Sequence, residues 1–428
     1  MKLRFPCILT AALTLGVFVS AAEELKPVAK ALGSDFGGAI SCTIQYAHED
    51  IWARTASETG VIAVNADELV PGQQLDVVVA FGGATTDRSG NTDVTYDVKI
   101  TKPDGSESVA GKDLIAHRGR ATNPKLVSHP TEMLKLSFSP KDAPGKYRIA
   151  ATIKDHVAKI EVSVAQEVKL LPDTSAEPLP AIFTDGDFSN WLMHYYLKPE
   201  PRLALTILQW ISKNKKVSEN ANAWPAILGQ YEMILRDNPW LVPTFMARLA
   251  NSGTPTDERA TLLYVLAYVY REQDNFALNL PESDREYFQL ARHQHWPDPS
   301  REIVEAGQLD TLWGRFFGTG AYAPIESLVA VLDYHVYHGK LEEFKKLSVK
   351  PAHPPVEVYK DVIFGAALWS LKSNAQQHPL VRDYCGTMLR NYKGTDSDIR
   401  VLLAMVVGAT VHTSDGHDVD LSKPPVGK

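Results

Sequence analysis

Cysteine is scarce in this chain, with only Cys7, Cys42 and Cys385 among 428 residues. Proteins that depend on a disulfide framework carry a much denser set, so disulfides are excluded as the basis of this fold. Cys42 and Cys385 lie far apart in the sequence. They could pair in an oxidising compartment or remain as two buried thiols, and the sequence leaves both possibilities open.

An excess of positive charge is also missing. Lys and Arg number 44 against 51 Asp and Glu, which gives a formal net charge of −7. Proteins that bind nucleic acids or anionic membranes need a basic surface, so neither is expected as a partner. After residue 22 the longest apolar runs are 261–270 and 401–411. Both fall well short of the ~20 residues that cross a bilayer, and we expect no transmembrane segment in the mature chain.

The short motifs of common enzymes are absent as well. The chain has no G-x-S-x-G elbow, no H-E-x-x-H helix, no C-x-x-C pair and no phosphate-binding loop. Residues 212–215 match the S-x-x-K of penicillin-binding enzymes, but no Lys-Thr-Gly partner accompanies them. We interpret that match as chance. The missing motifs favour a non-catalytic role, and the sequence assigns no catalytic residue and no cofactor.

The N-terminal 22 residues have the order of a secretory signal peptide. Lys2 and Arg4 precede an apolar run over residues 5–19, and small residues follow up to Ala22. An uncleaved anchor is the alternative, but the run is shorter than the ~20 residues that an anchor needs. We therefore expect cleavage after Ala22 and export to the periplasm or the cell exterior.

Residues 59–170 alternate apolar and polar side chains with the period of half-buried strands. Turn-forming Pro, Gly, Asn and Asp residues separate the alternating stretches. Residues 23–58 form an N-terminal extension that leads into this region. The pattern predicts an antiparallel β-sandwich with strands at 61–64, 75–79, 94–100, 133–138, 147–153 and 160–164 and a weaker strand near Leu114.

One motif in this region resembles a known domain class. Residues 142–147, Asp-Ala-Pro-Gly-Lys-Tyr, resemble the tyrosine corner of immunoglobulin-like sandwiches, in which the hydroxyl of the tyrosine bonds to upstream backbone. Antibody domains have a cysteine two residues later, where this chain has Ile149. The region therefore resembles the bacterial immunoglobulin-like and fibronectin-like modules that lack this disulfide. The resemblance implies a role in adhesion or spacing.

A Pro-rich linker over residues 171–182 separates this region from a second one with helical spacing. The apolar spacing predicts an all-α domain over residues 183–412, followed by a flexible C-terminal tail over 413–428. The predicted helices lie at 191–197, 203–211, 227–235, 261–270, 309–317, 325–332, 358–371 and 399–411.

A faint internal repeat occurs within the helical region. Two copies of an apolar helical hairpin are offset by 121 residues, and such hairpins need stacking neighbours. The spacing predicts a helical-repeat domain similar to an α/α superhelix. The offset matches Tyr195-Tyr196 with Phe316-Phe317, Ile207-Leu208 with Leu328-Val329, and Ile211 with Leu332.

Two stretches of the helical region resemble a protein group as well. Residues 309–320, with Trp313 and Phe316-Phe317, form one stretch, and residues 369–379 form the other. Both are similar to uncharacterised exported bacterial proteins that combine an immunoglobulin-like sandwich with a helical repeat-like domain. The resemblance implies this architecture and brings no established activity with it.

Aromatic side chains are the candidate binding residues. Flat amphipathic rings suit a groove for peptide or glycan, whereas the same helical spacing is typical of core packing, which we favour. The candidate groove consists of Trp191, Tyr195, Tyr196, Trp313, Phe316 and Phe317.

Histidines are the candidate metal ligands, because zinc needs three or four converging N, S or O ligands. The alternative is that they form hydrogen bonds at the surface or between helices. No spacing here is specific to a metal, so none is assigned. The histidines are His293, His295, His335 and His338, and Glu302, Asp310 or Asp333 could complete a site.

These observations predict an exported, non-catalytic binding or scaffold protein of the cell envelope, whose helical domain presents a protein-interaction surface. Its partner would be a protein or another envelope component. One alternative is a glycan or peptidoglycan hydrolase or lyase with an α/α catalytic domain. Another is an export or assembly factor for a surface system.

Overall fold

A computed structural model describes residues 36–54, 64–120, 133–349, 351–394, 396–412 and 418–420. The predicted signal peptide, residues 23–35 and positions 61–63 of the first predicted strand lie outside this part. Strands occupy the N-terminal region and helices most of the remainder. The protein is therefore a β plus α protein, as the two hydrophobic periods predict.

Eight strands form two sheets in the N-terminal region. One sheet has the order β1-β3-β6 and the other β2-β8-β7-β4-β5. The predicted strands that fall within the described residues are present. The strands are β1 (Gly37–Thr43), β2 (Glu68–Leu69), β3 (Gln74–Gly82), β4 (Asn91–Thr101), β5 (Glu107–Arg120), β6 (Leu134–Ser137), β7 (Gly145–Asp155) and β8 (Ile160–Leu170).

Two features of the sheets differ from the prediction. Strand β1 lies within the expected N-terminal extension, where it pairs with β3 along its whole length. Strand β2 pairs in parallel with the end of β8, so the five-stranded sheet is mixed and not purely antiparallel. Both strands depend on a partner distant in sequence, which local alternation does not reveal.

The two sheets share one hydrophobic core. Alternate residues of β7, among them Tyr147 and Ile149, are buried, and they belong to the same cluster as Val77 and Val79 of β3. Burying each Val or Ile side chain contributes roughly 1.5–3 kcal/mol. The apolar residues of the period-two pattern thus lie on the face of each sheet that points into the shared core.

Fourteen α-helices lie among the described residues, together with short 3₁₀ turns at 201–203, 239–241, 274–279 and 331–337. The α-helices are α1 (His48–Arg54), α2 (Asp185–His194), α3 (Ala204–Lys213), α4 (Lys215–Ser218), α5 (Trp224–Asp237), α6 (Val242–Ala250), α7 (Thr256–Val269), α8 (Glu282–Arg292), α9 (Ala306–Thr319), α10 (Tyr322–Ala330), α11 (Lys340–Lys345), α12 (Val356–Gln377), α13 (Pro379–Asn391) and α14 (Ser397–Val407). None of these helices combines the length and apolar composition that a membrane crossing requires.

The helices pack around two cores. Apolar residues of α2, α3 and α5–α8 form the first, and those of α9, α10 and α12–α14 form the second. Helices α5 and α9 join the two because glycines let their backbones approach closely. A Cβ atom on Gly314 would lie 2.0 Å from the carbonyl oxygen of Ala226, and one on Gly229 would lie 2.4 Å from that of Thr311.

The C-terminal end differs from the all-α prediction. Helix α14 stops at Val407, because Gly408 adopts a left-handed conformation with φ of 68° that ends the helix. Residues Thr410–His412 (β9) then pair with Asp418–Asp420 (β10) in a two-stranded ribbon. The predicted tail therefore contains a strand, while residues 413–417 and 421–428 lie outside the described part.

Residues 45–54 connect the strands to the helices through hydrogen bonds. They are also part of the predicted N-terminal extension. The side-chain nitrogen of Gln45, Nε2, donates to the carbonyl oxygen of Tyr196 at 3.1 Å. The carboxylate of Asp50 accepts the backbone N–H of Tyr322 at 2.9 Å. This short segment, which includes α1, thus contacts the helical region directly after β1 leaves the sheet.

The two cysteines among the described residues, Cys42 and Cys385, lie in different cores and are unpaired. Cys42 belongs to the core of the strands and Cys385 to the second helical core. Burial raises the pKa of both thiols to about 12. They are therefore protonated, unreactive packing residues at neutral pH.

Candidate functional site

The aromatic residues of the candidate groove are all buried. Trp191 and Tyr195 belong to the first helical core, and the other four belong to the second. The rings of Trp313 and Phe317 stack with centroids 5.8 Å apart. In this structure Trp191, Tyr195, Tyr196, Trp313, Phe316 and Phe317 are core residues that offer no open face to a ligand.

A buried histidine lies against several of these rings. The Nδ1 atom of His378 is 3.2 Å from the hydroxyl of Tyr196, and its ring centroid is 5.3 Å from that of Phe317. Its Nε2 atom has no hydrogen-bond partner among the described residues. Burial lowers the pKa of His378 to about 3, so the ring is neutral at physiological pH. A single histidine before a proline has no distinctive pattern, so the sequence does not mark His378 as a candidate site residue.

Two of the candidate metal-binding histidines contact a single acid each. His295 Nε2 lies 3.0 Å from Glu305, and His338 Nδ1 lies 3.4 Å from Asp361. Both are ordinary surface ion pairs or hydrogen bonds. His293 ends helix α8 and is exposed.

His335 is the candidate that meets two carboxylates. Its Nε2 atom lies 3.5 Å from Asp396 and 3.8 Å from Asp398, at the start of α14. The sequence suggested Glu302, Asp310 or Asp333 as the acids beside this histidine, whereas the structure places Asp396 and Asp398 there. Glu302, for example, pairs with Lys360 at 2.6 Å. This group is the one set of three potential metal ligands found among the described residues.

Several carboxyl groups of the helical region have raised pKa values. Burial raises the pKa of Asp237 to about 7 and that of Asp310 to about 6, and it also raises the pKa of Glu200. Burial also raises the pKa of the Tyr195 hydroxyl, which has no hydrogen-bond partner among the described residues, and the charges of Asp237 and Glu200 raise it further. A carboxyl that stays protonated near neutral pH is the form that a general acid requires. No sequence motif marks these residues.

Glu232 is buried and forms ion pairs with arginines. Its carboxylate lies 2.9 Å from Arg315 and 3.7 Å from Arg271, and 3.5 Å from the hydroxyl of Tyr268. Glu232 belongs to α5 and Arg315 to α9. The ion pair therefore connects the two helical cores, and we assign it a structural role.

A surface pocket lies where α3 ends and α4 begins. Its volume is about 380 Å³, and the half-buried ring of Trp210 forms part of its lining. The indole packs against Phe183 and Phe188, each with ring centroids 5.3 Å away. We call this the Trp210 pocket, and its lining residues are Trp210, Lys213, Asn214, Lys215 and Lys216.

The Trp210 pocket is basic although the chain as a whole is acidic. Lys215 lies 3.7 Å from Glu219, and Lys216 lies 3.5 Å from Asp185, with all four side chains more than half exposed. Lys213 makes no ion pair with any described residue. Exposed pairs of this kind are worth little, about 0–1 kcal/mol. All three ammonium groups can therefore turn to an incoming anion. The S-x-x-K stretch of the sequence lies here without the partners of an enzyme.

Comparisons with known proteins add little to this description. No family model matches the chain, and no curated protein matches it. Among solved structures it has a likeness to a family 123 glycoside hydrolase from Clostridium perfringens. That likeness has 9% sequence identity and a TM-score of 0.20, and it covers 32% of this chain and 27% of the hydrolase. A TM-score this low carries no argument about fold or function.

Proposed function

We propose that this chain is an exported, non-catalytic binding or scaffold protein of the cell envelope, and that its helical region binds an acidic segment of a partner protein at the Trp210 pocket. The observation that carries this proposal is the group of three exposed lysines around one indole, in a chain with a net charge of −7. Aromatic anchors contribute much of the affinity at protein interfaces. Lysines around the anchor would steer an acidic partner toward it.

We also infer that the strands form an immunoglobulin-like sandwich that acts as a spacer. The orders β1-β3-β6 and β8-β7-β4-β5 correspond to strands A-B-E and G-F-C-C′ of that fold. The Tyr147 hydroxyl donates to the carbonyl oxygen of Ala143 at 2.9 Å near the start of β7, the counterpart of strand F. Both features support the resemblance that the sequence suggested.

For the helical region we infer a repeat-like arrangement of two units. Helices α2 and α3, and helices α9 and α10, lie at or directly beside the matched positions of the internal repeat. Tyr196 from the first copy packs against Phe316 of the second, with ring centroids 5.0 Å apart. Each pair of helices contributes to its own core, as stacked helical units do.

The partner is tested by crosslinking in intact cells, followed by capture of the tagged protein and mass spectrometry. We expect an envelope protein that is lost when Lys213, Lys215 and Lys216 are all replaced by Glu. A matched control replaces three lysines at α11, Lys340, Lys345 and Lys346, and should retain the partner. If both variants recover the same proteins, or if the wild type recovers nothing above a tag-only control, the proposal is wrong.

Export is tested separately, by cell fractionation and by sequencing the N-terminus of the mature protein. Cleavage after Ala22 predicts a mature chain that begins at Glu23. A cytoplasmic, uncleaved product would contradict the expected location.

The pKa of Asp237, raised to about 7, favours one alternative, a hydrolase of envelope polymers. Such an enzyme would use Asp237 as its general acid. Incubation with purified peptidoglycan and envelope glycans checks this, with Asp237→Asn as the matched inactive variant. Product release that disappears in Asp237→Asn would replace the binding proposal with the enzymatic one.

A further inference from the structure

His335 comes from the 3₁₀ turn at 331–337, and its two companions come from the start of α14. One ligand atom each from His335, Asp396 and Asp398 lies within 4.8 Å of the other two. The imidazole is largely buried, whereas Asp398 is exposed. A nitrogen and two carboxylate oxygens thus converge at a site that solvent can reach.

Hydrogen bonds to neighbouring backbone groups orient the side chains of His335 and Asp396. The Nδ1 atom of His335 lies 3.1 Å from the carbonyl oxygen of Leu332. A carbonyl oxygen only accepts, so Nδ1 holds the proton and donates it there. The Nε2 atom, which faces the acids, is then left with a lone pair in the neutral ring. Fixing the tautomer through the other ring nitrogen is the usual arrangement around a metal-binding histidine.

Asp396 is oriented in a similar way. One of its oxygens accepts the backbone N–H of Asp398 at 2.8 Å and that of Ile399 at 3.4 Å, and so caps the N-terminus of α14. The other oxygen is the one that faces His335.

The spacing of the three groups also fits a shared metal ion. The Nε2 atom lies 3.5 Å and 3.8 Å from the two carboxylate oxygens. Hydrogen bonds between nitrogen and oxygen are shorter, about 2.7–3.2 Å. Two ligand atoms that are each about 2.0–2.2 Å from a tetrahedral zinc ion lie ~3.4 Å apart. Rotation of the exposed Asp398 side chain can bring the third ligand atom to this spacing.

We infer that His335, Asp396 and Asp398 form a binding site for a zinc ion, with water in the fourth position. The imidazole nitrogen selects zinc over magnesium and calcium, which prefer six or more oxygen ligands. Three protein ligands and one water are also the composition of zinc sites that remain open to a further ligand. This inference is independent of the Trp210 pocket.

The experiment uses the mature chain purified with a tag that contains no histidine and treated with a chelator. Zinc is titrated into the protein by calorimetry, and cobalt is titrated in parallel, because its visible absorption reports tetrahedral coordination. We expect one equivalent of each metal to bind. His335→Gln and Asp398→Asn should each weaken zinc binding by about 10- to 100-fold.

His338→Gln is the matched control, because His338 lies next to the same turn and contacts one carboxylate only. Its affinity for zinc should equal that of the wild type. Circular dichroism checks that all variants are folded, and Asp398→Asn is at an exposed position where folding is least at risk. The inference is overturned if zinc binds with no defined stoichiometry, or if His335→Gln and His338→Gln weaken binding equally. It is also overturned if no binding occurs, in which case His335 forms only an ion pair.

Discussion

Turns of the β region and two half-buried positions of the helical region shift the pKa values of their carboxyl groups in opposite directions. In the β region, the turn residues Asp104 and Asp142 accept hydrogen bonds from nearby serines, which lower their pKa values. In the helical region, Asp237 and Asp310 are half-buried without a hydrogen bond from any described residue, and this partial burial raises their pKa values. The two turn acids thus stabilise local structure, whereas Asp237 and Asp310 can respond to pH changes near neutrality.

The two regions also differ in how their cores are joined. A single core lies between the two sheets, and alternating side chains are sufficient to build it. The helical region has two cores, and it joins them through glycines at the contact of α5 and α9 and through the buried Glu232. Stability of the helical region should therefore depend on a few specific positions, and that of the β region should be more evenly distributed.

The largest expected effect comes from breaking the ion pair between the helical cores. Glu232→Gln leaves Arg315 without its charged partner, which should lower the free energy of unfolding by about 3–5 kcal/mol. Urea unfolding measures the change. Glu167→Gln is the control in the strands, because the exposed pair of Glu167 with Lys146 should be worth less than ~1 kcal/mol. Equal losses for the two variants would contradict the comparison.

The close contact of α5 and α9 gives the next effect. Gly314→Ala places a methyl group against the backbone of α5 and should cost about 1–3 kcal/mol, because the helices must move apart. Gly365→Ala is the matched control, since a Cβ atom there meets nothing within 4 Å. That variant should be stabilised by up to ~1 kcal/mol. Thermal unfolding of both variants measures the difference, and a neutral Gly314→Ala would show that the helices tolerate wider spacing.

A third prediction concerns pH. The pKa of Asp237 is about 7 in the folded chain and has an ordinary value of 3.8. Between these values the folded chain holds a proton that the unfolded chain has lost, so this group lowers the free energy of unfolding as pH rises. Asp237→Asn should therefore stabilise the protein at pH 8 by about 1–3 kcal/mol, with no gain near pH 4. Urea unfolding across this pH range measures the difference.

Asp142 should show the opposite sign, which makes it the control for that experiment. Its pKa is lowered in the folded chain, so its contribution is present above the ordinary value of 3.8 and is lost as pH falls through the folded value. Asp142→Asn should destabilise the protein at neutral pH, and the difference should shrink in acid. The same sign for both variants would disprove the contrast between the two regions.

The smallest expected effect tests the strands alone. Tyr147→Phe removes the hydrogen bond to Ala143 and should cost about 1 kcal/mol. Tyr287→Phe is the control, because Tyr287 is exposed and its hydroxyl bonds to no described residue. Urea unfolding compares the two. No difference between them would remove the local support for the immunoglobulin-like assignment.

Local patterns in the sequence predicted most of the elements. Alternation located β3, β4, β7 and β8. Three- to four-residue spacing located eight of the fourteen described helices, with α2 ending earlier than predicted at His194. The helices it did not locate are α1, α4, α6, α8, α11 and α13. Strand β1 was missed because its glycine-rich stretch has little periodicity and becomes a strand only by pairing with β3. The C-terminal ribbon was missed because the apolar run 401–411 predicts a single helix. Gly408 ends α14 within this run, and the residues that follow form β9.

The candidate sites show where sequence reasoning stops. His335 was identified as a candidate ligand, but its companions were sought nearby in the chain, whereas Asp396 and Asp398 come from a helix that follows three others. The aromatic residues were visible, yet the spacing of a groove and that of a core are the same. Lys213 and Lys215 of the Trp210 pocket were read only as part of a chance motif, and Lys216 was not singled out, because their convergence depends on the turn between α3 and α4.

The sequence by itself therefore determined the two hydrophobic periods, the proline-rich boundary between them and the shortage of cysteine and of positive charge, since these depend only on the order and the number of residues. Tertiary structure alone decided which rings are buried, which acids are protonated and which side chains meet at His335. The physical reason is that burial and electrostatic interaction act through distances in space. Those distances follow from how the helices and sheets pack, and residues far apart in the chain become neighbours only then.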